Sequence, residues 1–275
     1  VGYQIMKKFC EVPFMDLRSF STGRYGVCCA VDDYLIPDEN IKDENPMTYF
    51  QSPFMNKLRY DMIKSPYSPY GSVKEICKQC IDLEDAGLHS IREPSEWYGR
   101  ENTEELWINR DTGELNFDKK MGRSLKIKLN FYGNQCNLEC YMCEPWSSTK
   151  RMEVYKKLPK KFHQVQRSDD PNVLWGYTIK RYSEDAFKDV CYVTKDRFEE
   201  ISESLLKYSH LISMVEILGG EPALMKRHLN FLQRLVDSGD AKDILLSYIS
   251  NMTILSEEWI SIIKEFKREE VWNNK

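Results

Sequence analysis

The sequence predicts an α/β protein whose core is a parallel sheet with helices between the strands. From Leu125 to Phe131, apolar and polar side chains alternate, which is the pattern of a strand. Arg197–Leu211 carries its apolar residues on one stripe of a helix. The short apolar runs Met214–Leu218 and Ile244–Ile249 predict two further strands. The resulting order of strands and helices predicts an open sheet or a half-barrel.

Helices are also expected after the second and third of these strands. One runs to about Val236, and the other begins after Ser256 and reaches about Arg268. Ser256 is a suitable N-cap, and Glu257 and Glu258 place negative charge in the first turn. Each connection is long enough to return the chain for parallel pairing. Ligands are therefore expected at the carboxyl ends of the strands.

Changes in composition divide the chain into three parts. Residues 1–100 are rich in proline and form a small loop-rich α+β module, residues 101–123 are a charged connector, and residues 124–275 hold the sheet. An insertion is expected at about 147–195.

Local patterns predict some structure before the sheet. A helix is expected over Asn56–Ile63. A short hairpin is expected around Ser21–Arg24, and a second one at Asp111–Gly113, because each has a glycine in a polar turn.

Composition and charge exclude some classes of protein. The net charge of −4 over 275 residues gives no general basic footprint for nucleic acid. The longest apolar stretches, such as Ile244–Leu246, are far too short to span a bilayer. No secretory signal with a long apolar region is visible at the N-terminus. A cytoplasmic protein without membrane partners is expected.

The spacing of cysteines predicts a metal site directly after the first of the three strands. Cys136, Cys140 and Cys143 form a Cys-x3-Cys-x2-Cys run in the segment NQCNLECYMCEP. Three thiolates leave one metal position without a protein ligand, whereas structural zinc and ordinary [4Fe–4S] sites take four ligands. The alternatives are a zinc knuckle that takes Cys191 as its fourth ligand and unpaired core cysteines.

A glycine-rich segment ends the second of these strands. Gly219 and Gly220 lack a Cβ atom, so the backbone there can approach a ligand closely, and Glu221 and Pro222 follow. The alternative is a plain strand-to-helix turn with Pro222 in the first helical turn.

The two segments CNLECYMC and LGGEP together resemble the signatures of the radical S-adenosylmethionine (SAM) enzymes. The resemblance implies a partial (β/α) barrel of about three strand–helix units, where the family commonly has six. It implies that Cys136, Cys140 and Cys143 ligate three irons of a [4Fe–4S] cluster whose fourth iron binds SAM.

The resemblance also implies which other residues lie near SAM. The Gly219–Pro222 segment would offer backbone groups, and Glu221 its side chain, to the SAM amino group. Met142 stands where the family usually has an aromatic residue, and its backbone would face adenine. Asn251, after the third strand, stands where many members have a polar residue near SAM.

A second set of cysteines lies in the N-terminal part. Cys10, Cys28, Cys77 and Cys80 are spaced as two halves of a four-thiolate site, which suits either a [4Fe–4S] cluster or structural zinc. The surrounding segments resemble the twitch module, a shortened SPASM domain with one auxiliary cluster, although in relatives this module usually follows the barrel. Cys29 is an alternative ligand to Cys28.

The implied function is that of a radical SAM oxidoreductase. An external electron donor, similar to flavodoxin or ferredoxin, would reduce the cluster. SAM would then be cleaved to methionine and a 5′-deoxyadenosyl radical that abstracts hydrogen from a small molecule, nucleotide or peptide. The competing hypotheses are a non-catalytic iron–sulfur protein for electron transfer or scaffolding and a zinc-stabilised binding module.

Overall fold

The structure, a computed structural model, has an α/β architecture with a mixed sheet of five strands. It describes residues 10–20, 25–31, 45–64, 71–92, 108–117, 122–130, 133–143, 147–157 and 195–267. The strands are β1 (Asp16–Ser19), β2 (Tyr25–Gly26), β3 (Leu125–Leu129), β4 (Ile212–Ile217) and β5 (Leu245–Tyr248). Their order in the sheet is β2-β1-β3-β4-β5, with β1 and β2 antiparallel and all other pairs parallel.

Nine α-helices lie within the described residues. They are α1 (Val12–Met15), α2 (Pro46–Phe50), α3 (Pro53–Lys64), α4 (Ser72–Ile76), α5 (Lys78–Asp85), α6 (Thr149–Lys157), α7 (Lys195–Leu206), α8 (Arg227–Asp237) and α9 (Glu257–Lys264). None of the helices in these ranges combines the length and apolarity needed to cross a membrane.

The elements predicted after the connector are confirmed with small shifts at their ends. Strands β3, β4 and β5 pair in parallel in the predicted order. Ser256 caps α9, because its side chain accepts a hydrogen bond from the Trp259 amide at 3.1 Å. The helix predicted over Arg197–Leu211 ends earlier, at Leu206, and a short 3-10 turn at Ser209–Leu211 leads into β4.

The N-terminal part contributes two strands to the same sheet. Strand β1 pairs in parallel with β3, with Leu17 opposite Ile127, and β2 folds back on β1 as a hairpin. The turn predicted at 21–24 lies outside the described residues, as do residues 158–194 of the predicted insertion and Cys191. Buried residues from both parts of the chain form one hydrophobic cluster. The sequence patterns alone do not predict this shared sheet.

The other N-terminal predictions have local counterparts. The helix predicted over Asn56–Ile63 is α3. At Asp111–Gly113 the chain makes a tight turn, with Gly113 at φ 75° and an antiparallel bridge between Ile108 and Leu115.

The two faces of the sheet differ in chemistry. On one face, Leu17, Ile127 and Val215 lie side by side on β1, β3 and β4 and are buried. Lys126 and Lys128 alternate with these residues along β3 and point to the opposite face, where they are half-buried. The apolar face supplies the burial that holds the sheet against the helices.

We expect Ile127→Ala to lower the free energy of unfolding by about 2–5 kcal/mol, because the cavity would open on a fully buried central strand. Chemical denaturation monitored by circular dichroism measures this. Ile249→Ala is the matched control, since Ile249 is 61% exposed, and it should change stability by about 0.5 kcal/mol or less. Equal losses for the two variants would contradict the assigned core.

Candidate cofactor site

The three-cysteine loop begins a few residues after β3 and is a compact turn. The Cys143 amide donates to the Cys140 carbonyl at 3.1 Å, and the Cys136 amide donates to Thr149 Oγ1 at 3.2 Å. Tyr141 and Met142 at its tip are 91% and 89% exposed. Burial raises the pKa of the Cys143 thiol, and the nearby Cys140 and Cys136 raise it further. The three cysteines therefore share one short, partly exposed loop, as their spacing predicts.

The glycine-rich segment after β4 packs directly against the chain that leads into this loop. The Glu221 amide donates to the Gln135 carbonyl at 2.7 Å. A Cβ atom on Gly220 would lie 2.2 Å from the Gln135 carbonyl oxygen, which no real contact allows. Gly219 has a φ of 132° and would meet the Gly133 carbonyl oxygen at 2.6 Å. Both glycines are thus required by close backbone packing between the two predicted motifs.

Glu221 is fully buried and joins the ends of β4 and β5. Its Oε1 accepts from the Ser250 hydroxyl at 2.7 Å and from the Ala223 amide at 3.1 Å. Its Oε2 accepts from the Asn251 amide at 2.7 Å. Pro222 starts the 3-10 turn Pro222–Leu224 that follows. All of these partners are donors, so the carboxylate holds the loop after β5 in place.

Asn251 extends from that loop to the cysteine loop. Its Nδ2 donates to Asn137 Oδ1 at 3.0 Å and lies 3.9 Å from the Cys136 sulfur, within reach of a weak N–H···S hydrogen bond. Asn137 in turn donates to Thr253 Oγ1 at 2.8 Å. Sequence patterns alone miss the bracing roles of Asn137, Ser250 and Thr149. Their only signal is their position next to the motifs.

The four N-terminal cysteines line one small cavity. Cys10 precedes α1, Cys28 follows β2, Cys77 lies between α4 and α5, and Cys80 lies in α5. Cys29 is exposed and does not line the cavity, whereas Cys28 does. Residues that are separated by up to seventy positions in the sequence therefore come together here.

Burial dominates the electrostatics of this cavity. It raises the pKa of Cys28 to about 12 and that of Cys77 to about 11, and it also raises the pKa of Cys10 and Cys80. Arg92 opposes the shift at Cys77, and its Nε lies 3.2 Å from Glu84 Oε1. The thiols are therefore neutral near pH 7 unless a metal replaces their protons.

Neither cysteine set has the geometry of a metal-binding site in this structure. Within the described ranges, no group of three or more Cys, His, Asp or Glu side chains is arranged to hold a metal ion as it stands. The donor chemistry still fits, because seven thiols in two sets, without histidine, suit iron–sulfur clusters or zinc. The assignment of Cys10, Cys28, Cys77, Cys80, Cys136, Cys140 and Cys143 as ligands stays a prediction.

We expect Gly220→Ala to destabilise the protein by about 1–3 kcal/mol and to displace the three-cysteine loop, because the added methyl group meets backbone atoms that cannot yield easily. Thermal unfolding measures the stability, and thiol labelling of Cys140 reports the loop. Gly122→Ala is the control, since nothing lies within 4 Å of its Cβ position. Unchanged stability in Gly220→Ala would contradict the packing.

Comparisons of the chain with protein-family models, with curated proteins and with solved structures found no match in any of the three.

Proposed function

We propose that this chain is a cytoplasmic radical SAM enzyme built on a partial (β/α) barrel. The observation that carries the proposal is the direct packing of the Gly219–Glu221 segment on the stem of the Cys136–Cys143 loop. Two separate sequence motifs that resemble one family meet at the carboxyl ends of neighbouring parallel strands.

Different residues of the three-cysteine loop would contact different parts of the cofactors. Cys136, Cys140 and Cys143 would hold three irons of a [4Fe–4S] cluster and leave the fourth iron for the amino and carboxyl groups of SAM. A cluster that is reduced by one electron and holds SAM would supply cleavage of a SAM carbon–sulfur bond, giving methionine and a 5′-deoxyadenosyl radical. Met142 is exposed beside the thiols, where its backbone is available to adenine.

The surrounding residues would orient SAM and the loop. Gly219 and Gly220 bring the backbone of the β4 end close to the cysteine loop. Glu221 acts in this structure as a brace for the loop after β5, so its contribution to SAM binding would come through the position of Asn251. Asn251 lies beside Cys136 and would add a hydrogen-bond donor near a ligating sulfur.

The four-cysteine cavity supports an auxiliary centre in the same enzyme. Cys10, Cys28, Cys77 and Cys80 would hold a second [4Fe–4S] cluster, as in the twitch modules that the sequence resembles. Arg92 lies close enough to Cys77 to favour its thiolate form. An external flavodoxin- or ferredoxin-like protein would supply the electron.

Anaerobic reconstitution of the full chain with iron and sulfide tests the proposal against its two alternatives. Two clusters require about eight irons per chain. A colourless protein that binds zinc instead would support a structural binding module. If both clusters form but SAM and a reductant give no 5′-deoxyadenosine, the chain is a non-catalytic iron–sulfur protein.

We expect Cys140→Ala to abolish SAM cleavage and to halve the bound iron, since only the three-cysteine site is damaged. Iron analysis and chromatography of 5′-deoxyadenosine measure both effects. Cys29→Ala is the control, because Cys29 is exposed and outside the cavity, and it should retain both iron and cleavage. Full cleavage by Cys140→Ala would rule out this loop as the SAM site.

A further inference from the structure

One row of polar residues crosses four strands on the charged face of the sheet. The parallel register places Arg18 on β1 beside Lys128 on β3, Lys128 beside Glu216 on β4, and Glu216 beside Ser247 on β5. All four residues are half-buried. A row of charges that is partly withdrawn from water costs free energy unless the charges are paired.

Pairing within this row is incomplete. The Lys128 ammonium lies 2.7 Å from the Asp16 carboxylate. The Arg18 Cζ atom lies 5.6 Å from the centre of the Phe20 ring, in a cation–π arrangement. The Arg18 Nε is buried without a hydrogen-bond partner among the described residues. Among the described residues, Glu216 has no side-chain ion pair. Within the described part of the chain, one cation and one anion of the row thus lack an ion-pair partner.

The row also leads toward the candidate cofactor loop. Arg18, Lys128 and Glu216 lie near the carboxyl ends of their strands, where that loop begins. Asn130, two residues beyond Lys128, has a buried Oδ1 without a partner. This oxygen would lie 3.4 Å from a Cβ atom on Gly219, beside the glycine-rich segment. The polar surface therefore ends next to the residues that would hold SAM.

We propose that this face binds the substrate, and that the substrate is a small polar molecule with a carboxylate or phosphate group for Arg18 and an amine or hydroxyl donor for Glu216. That the bound molecule is a substrate rests on the proposed function, whereas anion binding at Arg18 rests on the geometry alone. Arg18 and Glu216 are two strands apart, which is about 10 Å at the usual strand spacing. Arginine suits the anionic group, because its planar fork forms two parallel hydrogen bonds with either oxyanion.

Anaerobic calorimetric titration of the reconstituted full chain with sodium phosphate, and separately with sodium acetate, tests the inference at constant ionic strength. We expect saturable binding of at least one anion by the wild type, and the anion that binds more tightly shows whether the site prefers a phosphate or a carboxylate group. Arg18→Met should lower the affinity for that anion about 10-fold or more, as loss of a charged hydrogen-bonding partner does. Arg18→Lys should weaken it less, because the charge remains.

Arg227→Met is the matched control, since Arg227 is exposed on α8. The affinity of this variant for the anion should equal that of the wild type. Circular dichroism establishes that each variant is folded, and the graded loss from Arg18→Lys to Arg18→Met keeps the test valid if one variant is unstable. Equal affinity in wild type and Arg18→Met, or no saturable binding of either anion by the wild type, overturns the inference. Because the titration needs no SAM cleavage, its failure is separable from failure of the proposed function.

Discussion

The parallel pairing of β3 with β4 is the interaction on which the three-cysteine loop and the charged face of the sheet depend. It brings the carboxyl ends of the two strands to one edge, where Gly220 touches the backbone at Gln135. The same register separates the apolar row of Leu17, Ile127 and Val215 from the charged row on the other face. A slip of one residue would exchange the two faces, so the burial of the core and the position of the loop are fixed together.

The sequence predicts the part of this arrangement that arises from local patterns. Alternation along β3 and the short apolar runs of β4 and β5 identify strands because side chains point to alternate faces. The cap at Ser256 follows from the hydrogen-bonding capacity of one side chain. The gathering of the N-terminal cysteines around one cavity agrees with their spacing, although their role as ligands is still a prediction.

Other features could not be predicted because they depend on contacts between distant segments. Nothing in the short strand β1 indicates that its partner is β3, since any exposed strand edge offers the same backbone groups. Glu221 is consistent with a ligand-binding residue and with a buried brace, and only the positions of Ser250 and Asn251 show the second role. The end of α7 at Leu206 likewise depends on where the chain must turn into β4.

The insertion of β1 into the sheet links assembly of the fold to the N-terminal cysteines. Its partner β3 lies more than a hundred residues later, so bringing β1 and β3 together costs loop-closure entropy. Such long-range pairing is slow, and competing contacts can form before it. Cys10 and Cys28 flank the β1–β2 hairpin, and Cys77 and Cys80 lie about midway along the chain between β2 and β3. A metal shared by these thiols would act as a cross-link that shortens the loop before β1 and β3 meet. A metal bound there during synthesis would then speed the formation of the sheet.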